Sequence, residues 1–280
     1  MRSQVRFLVA PPEFAISMLF VTEASDSTPK SLSDRLPPSV ISLGYRLVFR
    51  KRRIPEGVFP IENLIGTGLE VGGPSLFFKH SFPVYRSAAR VDGLNFAGVT
   101  MWEGSIRDGD PYSCAGQELG TQFLGEATSL SMFPEQSFDF VLSCHSLEHV
   151  ANPLMALAEW KRVVRPGGHL VLALPNKSAN FDHRRPTTSM EHLLADFDAG
   201  VGEDDLTHLA EILELHDLKR DKAAGTHEEF AQRSRSNFVN RGLHHHIFDL
   251  DLLREVFRFL NVEEVAGHSS YYDHLIVGKT

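Results

Sequence analysis

An α/β fold with a doubly wound, mostly parallel sheet is predicted by the stretch from Phe138 to Pro175. Phe138–Leu142 is a short apolar run of the kind that forms a strand buried on both faces. Asn152-Pro153 opens a helix, with Asn as the cap and Pro at the first helical position. Leu154, Leu157, Trp160, Val163 and Val164 then recur at helical spacing as one apolar face. Pro166-Gly167-Gly168 stops the helix, and His169–Leu174 is a second buried strand. Strand, helix and strand in this order make one βαβ unit, and such sheets bind ligands at the carboxyl ends of their strands. The first of these strands ends in Ser143-Cys144-His145, which delivers polar, titratable groups to that edge.

The remaining elements follow in chain order. Residues 1–60 read as an N-terminal extension, with a Ser, Pro, Thr and Asp-rich linker over Glu23–Ser39. Phe7–Val21 is its most apolar run, but Pro11-Pro12-Glu13 interrupts it, and no run reaches the ~20 residues of a membrane span. Stable membrane insertion is therefore not expected. Tyr45–Arg53 is basic with interleaved apolar residues; it suits an anionic lipid or glycan surface, or, the preferred reading, a solvated helix end. Gly66–Ser75 should be the first sheet strand and its turn, and Arg90–Phe96 the second. Ala97–Gly120 is rich in glycine and acidic residues and reads as an irregular excursion able to carry Trp102 toward the site. Phe123–Ala127 fits the third strand. Residues 61–175 thus form the core, and 176–246 an insertion. Residues 247–280 complete the core with a helix over Leu250–Leu260, capped by Asp249 or Asp251, and closing strands at Val262–Val265 and His274–Val277.

Composition narrows the function. The 280 residues are 42% hydrophobic and 23% charged, with a formal net charge of −8. That balance argues against a broad phosphate-binding face, so no nucleic-acid partner is expected. Two cysteines, Cys114 and Cys144, make no disulfide framework, and a reducing, cytoplasmic setting follows. Cys144 reads as a small packing residue; a nucleophile would need a basic partner and exposure.

The segment FDFVLSCHSLEHV followed by NPLMALAEWKRVVRPGGHLVLALP resembles class I S-adenosylmethionine (SAM) dependent methyltransferases. The likeness is nearest to the group that includes quinone-biosynthesis enzymes, which show FD-V, a loop ending in EHV, and L-PGG. Here Val164 stands for the Leu, and Arg165 intervenes before the PGG. LSMFPEQSFDF likewise resembles the run that precedes the fourth strand in that family. The resemblance implies a Rossmann-like, doubly wound, mostly parallel seven-stranded sheet. Its last strand would be antiparallel, a helical insertion would follow strand five, and SAM would be the cofactor. Glu70-Val71-Gly72 matches the family's acid-x-Gly opening, with Gly73 supplying flexibility where Pro74 and Leu76 replace later glycines. Near the end of the second strand either Asp92 or Asn95, the latter preferred, would accept hydrogen bonds from the ribose hydroxyls. Glu126 and the backbone of Ala127 would meet the adenine, and Ser143 completes the expected cofactor set.

Methyl transfer from a sulfonium is an in-line displacement, and a hydroxyl acceptor also needs a base. His145, directly after the fourth strand, is the first candidate, and His149, one helical turn on, is the second. In the insertion His183, Arg184, Arg185, His244 and His246 are placed to close over an acceptor, the arginines suiting an anionic group. The histidine spacing matches no established zinc pattern, so no metal is assigned. These observations predict a methyltransferase acting on oxygen of a small-molecule or glycan-like acceptor. The alternatives are a degenerate SAM-fold binding module, which the altered glycine loop favours, and a nucleotide-cofactor oxidoreductase, which lacks GxGxxG.

Overall fold

The computed structural model describes residues 52–280 apart from Met101 and Glu103. The apolar Phe7–Val21 run, the Glu23–Ser39 linker and most of the basic Tyr45–Arg53 segment lie outside the described residues. Among the described residues no helix is long and apolar enough to cross a membrane.

Eight strands form one sheet: β1 (Thr67–Val71), β2 (Arg90–Asn95), β3 (Pro111–Cys114), β4 (Gln117–Leu124), β5 (Phe138–Cys144), β6 (Val164–Pro175), β7 (Glu263–Ser269) and β8 (Asp273–Lys279). Their order is β3-β4-β2-β1-β5-β6-β8-β7. β4, β2, β1, β5 and β6 run parallel, whereas β8 lies antiparallel between β6 and β7. The expected seven strands are present, and β3 is an addition. It comes from the Gly/Asp-rich excursion, which was expected to be irregular but instead turns at Ala115-Gly116 and pairs back on β4.

Neighbouring residues of each strand serve opposite faces, as the two-residue period requires. Val141, Leu170 and Leu172 pack with Trp160, Leu157 and Phe257 on one side. Phe140, Leu142 and Val171 pack with Phe77, Phe78 and Leu275 on the other. The first side carries the helices α1 (Pro153–Val163) and α2 (Met190–Ala199). α1 is capped as expected, Asn152 Oδ1 accepting from Met155 N at 3.1 Å. It ends at Val163, before the Pro-Gly-Gly, which sits instead in the bulged start of β6. On the second side the β1–β2 connection holds only short turns, Phe77–Ser81 and Val84–Arg86. Pro74 and Pro83 bracket that segment, and each removes a backbone donor that a longer helix would use.

The insertion continues through α3 (Leu209–Leu215), α4 (His227–Arg235) and α5 (Asn237–Asn240), and an extended run then leads to α6 (Leu250–Phe259). Asp249 is the α6 cap, accepting from Leu252 N at 2.9 Å. α4 carries a full capping box between Thr226 and Glu229.

Candidate active site

A cavity of about 930 Å³ opens at the carboxyl ends of the parallel strands. It lies where β1 is flanked by β2 and β5 and the winding reverses, which is where doubly wound sheets bind ligands. Gly72, Asn95, Glu126, Ala127, His145, His149 and His244 all line it. These seven sequence-predicted residues come from the ends of β1, β2, β4 and β5 and from the insertion.

Gly72 follows β1 with φ +77°, a backbone region costly for any side chain, and a Cβ there would lie 1.8 Å from Ser146 Oγ. Its glycine lets the β1 and β5 loops meet under the cavity floor. Asn95 Nδ2 donates to Gly73 O at 2.8 Å, tying the same loop to β2 and leaving the amide oxygen to accept. Glu126 Oε1 accepts from Arg241 at 2.8 Å. Ala127 O accepts from the Trp160 indole at 2.9 Å, which fixes the loop after β4.

Four residues expected to meet the cofactor do not line the cavity. Glu70 is buried and accepts from the hydroxyls of Tyr85 (2.5 Å) and Tyr112 (2.8 Å), both through Oε2. Gly73 lies so close over this trio that a Cβ would come within 2.1 Å of the Tyr112 hydroxyl, so its glycine serves internal packing. Asp92 accepts from Thr121 N at 2.8 Å and pairs with Arg90 at 2.6 Å, which holds β2 to β4. Ser143 is buried in β5, and the cavity receives Cys144 and Ser146 instead. Burial pushes the Cys144 thiol far up, which suits its reading as packing.

Burial also lifts the Glu70 carboxyl from 4.5 to about 7, against the lowering effect of its tyrosine donors. The folded state therefore holds a proton there that the unfolded chain releases. This contribution is fully present below pH 4.5 and is lost as pH rises through about 7. Glu70→Gln keeps an acceptor for both tyrosines and cannot titrate. Chemical unfolding at pH 5 and pH 8 should show the wild type losing on the order of 3 kcal/mol more than this variant. Equal losses would place Glu70 outside the proton linkage.

At the other end, His145 and His149 flank the floor. His145 has φ +52°, and its Nε2 lies 2.8 Å from Asp273 Oδ1. Arg52 Nε donates to the same carboxylate at 2.9 Å. Burial opposes the charge on Asp273, but the His145 and Arg52 hydrogen bonds outweigh it and hold the carboxyl at about 2. His149 donates from Nδ1 to Leu243 O at 2.9 Å, which leaves Nε2 as the lone-pair nitrogen. Trp102, brought in by the excursion, meets the His149 ring edge-on at 5.0 Å. Burial first, and then the neighbouring His244, keep His149 neutral by lowering its pKa well below the usual range. His244 meets it at 4.5 Å and pairs with Asp182 at 2.5 Å; burial works against the charge, but Asp182 raises His244 above ordinary imidazole. Glu148, also buried, approaches both histidines closely enough that the three could share a cation.

The other expected acceptor residues have different work. His183 and Arg184 both pair with Asp217, at 2.9 and 3.3 Å. Arg185 is buried, bound to Asp182 and Glu211 and to the carbonyls of His244 and His245. His246 does not line the cavity, and its Nε2 lies 3.1 Å from Ala151 O. Arg52, Asp273, Glu203 and Arg241 were not among the expected site residues. Arg241 joins Glu126 to Glu203 (2.6 Å) across the cavity. None of the four sits in a motif, and only the fold brings them near the strand ends.

Residues 86–172 match the family model described as a methyltransferase domain. The ubiquinone biosynthesis O-methyltransferase of Maricaulis maris is 32% identical over 97 residues, which are 35% of this chain and 36% of that protein. An uncharacterized methyltransferase of Mycobacterium avium is 34% identical over 109 residues, 39% of this chain and 42% of that protein. The chain thus spans less than half the length of these curated relatives. A putative S-adenosylmethionine dependent methyltransferase from Listeria monocytogenes superposes with a TM-score of 0.46 at 11% identity, over 85% of this chain and 99% of that one.

Proposed function

We propose that this chain, whose residues 86–172 match a methyltransferase domain, is a class I SAM-dependent methyltransferase that methylates a hydroxyl of a small-molecule or glycan-like acceptor. The observation that carries the reading is the one cavity that joins Gly72, Asn95, Glu126 and Ala127 at one end to His145 and His149 at the other. The donor set fits the cofactor: an amide and a carboxylate at the ends of β2 and β4 can accept from hydroxyl and amino groups, and Gly72 keeps the loop beside them open. SAM supplies, when bound, a methyl group activated by its sulfonium sulfur.

The chain's own residues would do the rest. Asn95 and Glu126 would orient the nucleoside, with Arg241 holding the Glu126 carboxylate in place. His149, neutral and fixed by Leu243, takes the hydroxyl proton on Nε2 as the oxygen attacks. The His145–Asp273 pair fixes the floor beside the reacting centre and presents an oriented imidazole to the acceptor. His244, which Asp182 biases toward its charged form, would favour negative charge developing on the acceptor oxygen. Oxygen is favoured because a neutral imidazole with a fixed lone pair matches the need of a hydroxyl for a base.

His149→Ala should lower kcat for methyl transfer by about 10²–10⁴-fold while leaving SAM affinity within about threefold, since its hydrogen bond goes to the insertion. Radiolabelled methyl transfer across a panel of phenols and sugars measures the first, and calorimetry the second. Full activity in His149→Ala would remove it as the base, and equal loss of SAM binding would make it a cofactor residue. SAM binding with no transfer to any acceptor would favour the binding-module reading, which the Pro74 and Leu76 replacements support.

A further inference from the structure

Outside the cavity, the insertion gathers a second cluster of histidines that the transfer reaction does not use. His192 and Asp196 lie one turn apart on α2, His208 immediately precedes α3, and His246 comes from the run before α6. None of the four lines the cavity. Each offers one ligand atom, and these atoms all lie within 4.8 Å of one another. His192 Nε2 is 3.2 Å from His208 Nε2 and 3.2 Å from Asp196 Oδ2, and His246 Nε2 is 3.7 Å from Asp196 Oδ2.

Hydrogen bonding alone accounts poorly for these approaches. His192 Nε2 carries at most one proton and faces two atoms at the same distance. Asp196 Oδ2 is buried and makes no hydrogen bond among the described residues, despite that 3.2 Å approach. The His192 and His208 rings meet edge-on, with centroids 4.9 Å apart at 80°, so ring stacking does not draw the nitrogens together. A single cation at the centre satisfies all the approaches at once. Four donors placed tetrahedrally around zinc at 2.0–2.1 Å lie about 3.3 Å from one another, close to the separations seen.

We propose that His192, Asp196, His208 and His246 form a closed zinc site that cross-links three segments of the insertion. Three imidazoles and one carboxylate suit zinc better than calcium or magnesium, which take oxygen ligands. His246 joins the set through Nε2, exchanging its approach to Ala151 O for the metal. The consequence reaches the cavity. The loop between His192 and His208 carries Glu203, which accepts from Ala151 N at 3.3 Å and pairs with Arg241 in the cavity wall. Metal at this site would hold that wall closed without touching the reacting atoms.

The test is the metal content of the full-length chain, expressed untagged in zinc-supplemented medium and purified without chelator. Elemental analysis should find about one zinc ion per chain, falling at least tenfold in Asp196→Ala and in His208→Ala. His183→Ala, which alters another insertion histidine paired with Asp217, should keep its zinc. Because a ligand variant can misfold, the stripped wild type is also titrated with Co²⁺. The expected result is a single saturating equivalent with the visible absorption of tetrahedral cobalt, together with restored resistance of the 176–246 region to protease. Folded wild type that takes up neither zinc nor cobalt would overturn the proposal. Zinc retained by Asp196→Ala and His208→Ala, or lost equally in His183→Ala, would overturn the ligand assignment.

Discussion

Gly72→Ala is expected to weaken SAM binding at least about 100-fold, a loss near 2.7 kcal/mol. Two costs combine at this position. The φ of +77° is a left-handed region that costs a side-chain-bearing residue roughly 1–2 kcal/mol. The new methyl would also lie 1.8 Å from Ser146 Oγ and 2.7 Å from Ser146 Cβ, so the β1 and β5 loops would have to separate. Separation moves the cavity floor, with Pro74 and Ser75 on one side and His145 on the other. Adding Ser146→Gly removes the contact and should recover part of the affinity, with the backbone strain left over. Calorimetry on the single and double variants measures both. An alanine variant that binds SAM like the wild type would mean that the floor does not hold the cofactor.

The second large effect is on stability. Arg185→Met should destabilise the fold by about 3–5 kcal/mol, because it leaves buried Asp182 with His244 but without its guanidinium partner and takes the donor from two buried carbonyls. Arg185 is among the largest fully buried side chains, and its guanidinium joins the first insertion loop to the His244–His245 run. Its neighbour Arg184 is half-exposed and pairs with Asp217, so Arg184→Ala should cost less than about 1 kcal/mol. Denaturant unfolding of the two variants side by side separates them. Similar losses would mean that Arg185 is not the link between these segments.

These two arginines show where sequence reading reaches its limit. Both were expected to receive an anionic acceptor group, yet one is a surface ion pair and the other a buried strut. Charge and position in an insertion say nothing of which way a side chain turns. That depends on packing among segments some sixty residues apart, as in the bonds from Arg185 to His244 and His245. The strands and α1 were legible because their signals are local: an apolar run, an Asn-Pro start, a Pro-Gly-Gly after the helix. The strand-end residues Asn95, Glu126, His145 and His149 reach the cavity for a related reason, since the topology sends the carboxyl ends of the parallel strands to one edge.

The misplaced residues share a physical cause. Glu70 occupies the motif position for a cofactor-facing acid, but Tyr85 and Tyr112 come from elsewhere in the chain to claim its carboxylate. Asp92 is drawn to the backbone of β4 and to Arg90. In both cases a nearby protein donor takes up the carboxylate, and no motif records that donor. The excursion was misread as irregular because its glycines conceal a hairpin strand of only four residues, Pro111–Cys114. Asp273 went unnoticed for the opposite reason. It sits in the closing hairpin, more than a hundred residues from the His145 it orients.

Calorimetric titration of the full chain with SAM and with its demethylated product, with NAD as the control, decides whether this cavity is a SAM site. The expected result is saturable binding of both sulfur ligands at micromolar affinity, about −8 kcal/mol, and none of NAD. A folded protein that binds neither sulfur ligand would mean that this cavity holds no SAM.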